Sequence, residues 1–222
     1  MKLFSSHRAE KSTGAQCCIR YFELAFWIAL LAGINLPLLS GAPPTAFIFD
    51  LQLVKMGQVW RIVTFPFAHV STYHLFMDAA AFLLLYNGLE ERSALRRVMF
   101  TAACALGSLL LPLLLSKTVR AIGLSGLSGT AHGLTAVASL ELIRNNVKES
   151  PLFKIGVAVL IAVTLKSIVE VSTGNVIFSS LHLGSVGTPV VESHLGGVIG
   201  GAVSFILLNR HKPMPASAIE TP

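Results

Sequence analysis

Six times along this chain of 222 residues an apolar stretch of about 20 residues recurs, long enough to cross a hydrocarbon core roughly 30 Å thick as a helix. The stretches fall near 21–39, 71–89, 98–115, 125–143, 152–170 and 191–208. In lipid the backbone has no water to bond to, and a helix satisfies its own N–H and C=O groups within one segment. The expected fold class is therefore an all-α membrane protein, a bundle of six transmembrane helices. Composition agrees: 13% of the residues are charged, where soluble domains carry about 25%, and the mean hydropathy is +0.70.

The formal net charge of +6 would suit a nucleic-acid partner, but the distribution of the basic residues has a simpler reading. Twelve of the seventeen Lys and Arg fall in the N-terminal segment, in the second and fourth connections and in the C-terminal segment. Basic residues concentrate on the cytoplasmic side of a membrane protein, so both termini are expected in the cytoplasm and no nucleic acid is expected as a partner. The organisation is a cytoplasmic tail over 1–20, one six-span domain over 21–209 and a second tail over 210–222, each tail too short to bury a core. The three cysteines, Cys17, Cys18 and Cys104, suggest no disulfide framework.

Polar and ionisable groups inside spans are costly and point to function. One cluster opens the fourth span, Gly123-Leu124-Ser125-Gly126-Leu127-Ser128-Gly129-Thr130-Ala131-His132-Gly133. A serine here stands at a helix N-terminus, whose free N–H groups and positive dipole end suit an oxyanion. A second cluster opens the sixth span, His194-Leu195-Gly196-Gly197-Val198-Ile199-Gly200-Gly201, and carries two overlapping small-xxx-small pairs that allow close helix approach. Gly129 and Gly133 give the fourth span a matching face. Ser128 and His194 enter from the same side at similar depth, as a nucleophile and its base require. In span two His74 and Asp78 share a face at i and i+4, preceded by His69 and by Trp60-Arg61 with Thr64. Lys166 and Glu170 are likewise i and i+4 in span five.

The series Trp60-Arg61, Thr64, His69, His74, Asp78, then Gly-Leu-Ser-Gly, then His194-Leu195-Gly196-Gly197, in this order, resembles the rhomboid family of intramembrane serine proteases over about residues 55–205. The resemblance implies a six-helix rhomboid-like bundle, Ser128 as nucleophile and His194 as general base without a third acidic member. It also implies an oxyanion site made by His74, the Asp78 position and the Ser128 backbone N–H, with His69, Gly126 and His132 in support. Rhomboids usually carry Asn where Asp78 stands, and an ionised carboxylate can only accept hydrogen bonds. Either Asp78 is protonated or it orients His74 or the Ser–His pair, and a disabled pseudoprotease that binds membrane clients is the alternative reading.

Ser125 also stands in a Gly-Leu-Ser-Gly and competes for the nucleophile's role. The run Gly126-Leu127-Ser128-Gly129-Thr130-Ala131-His132-Gly133-Leu134 is similar to the rhombosortase branch, which favours Ser128 and places His132 one turn below it. Lys166, Glu170 and Glu192 also resemble that branch, and Lys166 with Glu170 are candidates for substrate recognition. The branch implies membrane-anchored substrates, secreted or surface proteins that end in a glycine-rich motif, an apolar helix and a basic tail. Cleavage would take place at the outer face of a bacterial inner membrane. No cofactor is expected, and no metal, because the spacing of a zinc protease of the HExxH type is absent. A channel or transporter is disfavoured by the lack of internal repeats and by polar groups gathered on one side.

Overall fold

The computed structural model describes residues 3–177 and 183–210. Its α-helices are α1 (Leu3–Ile34), α2 (Leu51–Lys55), α3 (Arg61–Thr64), α4 (Thr72–Gly88), α5 (Ala94–Leu115), α6 (Lys117–Ile122), α7 (Ser128–Asn145), α8 (Pro151–Thr173) and α9 (Val191–Asn209). The C-terminal tail expected over 210–222 lies, after Arg210, outside the described residues. Among the described residues three helices, α5, α8 and α9, are long and apolar enough to cross a membrane by length and composition. The exposed faces of the long helices are apolar, with Phe22 and Phe26 on α1, Phe76 and Leu84 on α4 and Leu165 and Ile168 on α8. These are the surfaces that lipid covers at no cost.

The fourth apolar stretch becomes helical only at Ser128, three residues later than hydropathy suggests. Gly123 and Gly126 explain the delay, with φ of +86° and +101°. That region favours glycine, and a helix cannot pass through it. Residues 123–127 run instead as irregular backbone tied to the long first connection. Phe49 and Leu124 exchange backbone hydrogen bonds of 2.9 and 3.1 Å, and the Gly126 N–H donates to the Phe65 carbonyl at 3.1 Å. The connection itself hangs on Arg61, whose buried guanidinium donates to the carbonyls of Thr45 and Ile48 at 2.6 and 2.5 Å and to Gln58 Oε1 at 2.8 Å. Thr64 Oγ1 adds a bond to the Phe47 carbonyl at 3.0 Å.

Helix α9 lies between α5 and α7, and glycine is what lets it approach both. A Cβ on Gly133 would meet the Gly197 carbonyl at 2.5 Å, and one on Gly197 or Gly201 would collide with the carbonyl of Gly129 or Gly133. The other pair, Gly196 and Gly200, faces the carbonyls of Gly107 and Ala103 on α5. The two overlapping pairs thus serve two different neighbours, and the α5 contact was not anticipated. Aromatic packing closes the far end, where Trp27 of α1 stands edge-on to Phe82 and Tyr86 of α4 with centroids 5.4 and 5.6 Å apart. At that end Arg97 is buried against Glu23 at 2.6 Å, and Glu141 of α7 accepts the backbone N–H groups of Glu90 and Glu91 at 2.7 and 2.9 Å.

Candidate active site

Ser128 is the first residue of α7, and His194 lies in the first turn of α9. The glycine contact between these helices brings the two side chains together, with His194 Nε2 3.3 Å from Ser128 Oγ. The other ring nitrogen, His194 Nδ1, lies 2.7 Å from Glu170 Oε2 on α8. Both nitrogens of His194 are therefore engaged, and neither is left for Ser125. Ser125 lines the same cavity, about 470 Å³ in volume, together with Ser128, His194, His132, His74 and Lys166.

His132, one turn below Ser128, stacks flat on His194 with centroids 4.0 Å apart and planes 10° from parallel. Its Nδ1 lies 2.8 Å from the Ser128 carbonyl oxygen, which can only accept, so Nδ1 carries the hydrogen. Its Nε2 is then an acceptor, and Lys166 Nζ donates to it at 3.0 Å. Lys166 Nζ also donates to Glu170 Oε1 at 2.7 Å. Glu170 Oε1 accepts a second bond from the Ile177 N–H at 2.9 Å, and the residue is wholly buried. His132, Glu170 and His194 offer ligand atoms within 4.8 Å of one another, a spacing that suits a cation. The Lys166 ammonium supplies positive charge at that place.

On the other side of Ser128, Asp78 of α4 is buried beside two histidines. Its Oδ2 accepts the N–H groups of Leu127 at 2.7 Å and Ser128 at 3.1 Å. Helix α7 has Leu127 at its N-cap position and no capping side chain of its own. Asp78 thus caps α7 from a neighbouring helix, satisfying donors that a helix N-terminus leaves free. The same oxygen lies 3.2 Å from His74 Nε2 and 3.4 Å from His69 Nε2. His69 is held by buried Asn35, whose Oδ1 accepts the His69 N–H at 2.9 Å while Nδ2 donates to the Phe67 carbonyl at 2.6 Å. Gly126 makes room for this group, since a Cβ there would come within 2.8 Å of the His74 ring and 2.9 Å of Asp78 Oδ2.

The candidate catalytic, oxyanion and recognition residues gather around one cavity or directly behind it, whereas Trp60, Arg61 and Thr64 tie down the first connection instead. Ser128, His194 and His132 stand on one side with Lys166, and His74, Asp78, His69 and Gly126 on the other. Lys166 and Glu170 part company, for Lys166 borders the cavity while Glu170 lies behind His194. The bond from Glu170 to His194 and the support of His69 by Asn35 were not foreseen. A buried Asn at the end of the first span was the available signal for the second.

The Rhomboid domain model matches residues 56–211 of the chain. A curated relative, Rhomboid-like protease 2 of Toxoplasma gondii, is 25% identical over 202 residues, covering 87% of this chain and 65% of its own length. The chain thus spans just under two thirds of the curated relative it matches. No solved structure matches the chain.

Proposed function

The chain belongs to the rhomboid family and is an integral membrane protein, and on that premise we propose that it is an intramembrane serine endopeptidase with Ser128 as nucleophile and His194 as general base. The observation that carries the reading is the 3.3 Å approach of His194 Nε2 to Ser128 Oγ at the junction of two helix N-termini. Ser128 Oγ attacks the scissile carbonyl while His194 Nε2 takes its proton. The tetrahedral intermediate collapses as His194 returns that proton to the leaving amine, and water then resolves the acyl-enzyme by the same route. The oxyanion forms in the corner of His74 and the Ser128 N–H, and it must draw both donors from Asp78 Oδ2, which holds them in the resting structure.

The long helices α1, α4, α5, α7, α8 and α9 are read as six transmembrane spans with both termini cytoplasmic and the site near the outer face of a bacterial inner membrane. The twelve basic residues on the inner segments support that orientation. The substrates are secreted or surface proteins of the rhombosortase type, anchored by a glycine-rich motif, an apolar helix and a basic tail, with Lys166 at the cavity wall reading the entering segment. A disabled membrane-client binder is not favoured, because nucleophile and base keep their mutual contact. Reconstituted in liposomes with a reporter bearing such a C-terminal anchor, the enzyme is expected to release the reporter and Ser128→Ala to release none. Equal release by Ser128→Ala would overturn the reading.

A further inference from the structure

Resting on that reading of Ser128 and His194, we infer that Glu170 is the acidic third member of a Ser–His–Glu triad, a positioning residue that acts through His194. Sequence resemblance implied a base without such a partner. The geometry supplies one at 2.7 Å from His194 Nδ1.

The inference follows from counting donors and acceptors around a ring of bonds. A carboxylate only accepts, and Glu170 receives Lys166 Nζ and the Ile177 N–H on Oε1, leaving Oε2 for His194. His194 must then present Nδ1–H to Glu170, which leaves the lone pair of Nε2 facing the Ser128 hydroxyl. That is the tautomer a general base needs, and the wrong tautomer is what disables a serine hydrolase whose acid is exchanged for an amide. The ring closes through His132, which stacks on His194 and is itself fixed between the Ser128 carbonyl and Lys166. Tilting of the His194 ring is thereby blocked on its face by His132 and at its edge by Glu170. When Nε2 takes the serine proton, the imidazolium forms between a buried carboxylate and the nucleophile. Glu170 is wholly buried, so it cannot touch substrate, and a lone ionised carboxylate would be costly there. Three donors offset that cost.

The test is the second-order rate at which a fluorophosphonate acylates Ser128 in the full-length enzyme, measured beside kcat and KM for an anchored substrate. Glu170→Gln is expected to slow acylation and kcat about a hundredfold or more, with KM changed less than threefold and labelling still running to completion on the folded protein. In a His194→Ala background the same substitution is expected to cost nothing further, because members of a triad fail as a unit. Acylation at the wild-type rate with raised KM would overturn the inference in favour of substrate recognition. An equal loss in both backgrounds would overturn it in favour of a purely structural role. If Glu170→Gln does not accumulate as folded protein, Glu170→Asp carries the same comparison in both backgrounds. Failure of the underlying reading looks different, since labelling would then survive Ser128→Ala whatever stands at position 170.

Discussion

Asp78 shows how a single residue can be noticed in the sequence while one of its contacts stays hidden. As an acid in place of the usual amide it drew attention for what it does to an oxyanion. Its contacts give it a second task, capping α7 through the Leu127 and Ser128 N–H groups. Asp78→Ala strands both donors in a buried setting and is expected to cost about 1–3 kcal/mol of stability. Asp78→Asn keeps an acceptor oxygen and is expected to cost less than half of that, which thermal unfolding in detergent will read. Equal losses would show that the cap is not what Asp78 contributes. Ser128, His194 and His132 were legible because one motif carries each of them. The Glu170 bond was not, because it joins α8 to α9 and no spacing along one helix reports a contact between two.

At the scale of elements, the small-residue pairs decide where the nucleophile and base meet. Gly197→Ala places a methyl group against the Gly129 carbonyl and forces α9 away from α7. A misplacement of about 1 Å between reacting groups costs on the order of a hundredfold in rate, so kcat is expected to fall by about that much. The matched control is Gly33→Ala, in α1, where a Cβ meets nothing within 4 Å. It is expected to leave activity unchanged and to stabilise the helix by up to about 1 kcal/mol. The pairs themselves were legible, since glycine spacing is local. That α9 uses one pair for α5 and the other for α7 depends on a third helix that no single stretch of sequence describes. The first connection makes the same point, since Trp60-Arg61 reads as a motif but its work is done by the carbonyls of Thr45 and Ile48, over ten residues away.

For the whole molecule, the apolar stretches made the helices legible and left their ends and ties obscure. Arg97 counted among the basic residues that orient the chain, yet it is buried and donates to Glu23 Oε2 through both Nε and Nη2, at 3.0 and 2.6 Å. This pair locks α1 to α5 at the end of the bundle remote from the site. Breaking such a pair leaves a buried charge alone, so Arg97→Met is expected to cost about 3–5 kcal/mol. Arg97→Met with Glu23→Leu is expected to recover at least half of it. Unfolding in detergent gives the stability. Fluorophosphonate labelling per folded molecule is expected to match wild type in both variants.

The central claim, that Ser128 rather than Ser125 is the nucleophile, is tested most directly by fluorophosphonate labelling of the two serine variants, read by mass spectrometry of the labelled peptide. Ser125→Ala is expected to take up the probe on Ser128 and to cleave an anchored substrate, and Ser128→Ala to do neither. Labelling and cleavage that survive Ser128→Ala and vanish with Ser125→Ala would contradict the account.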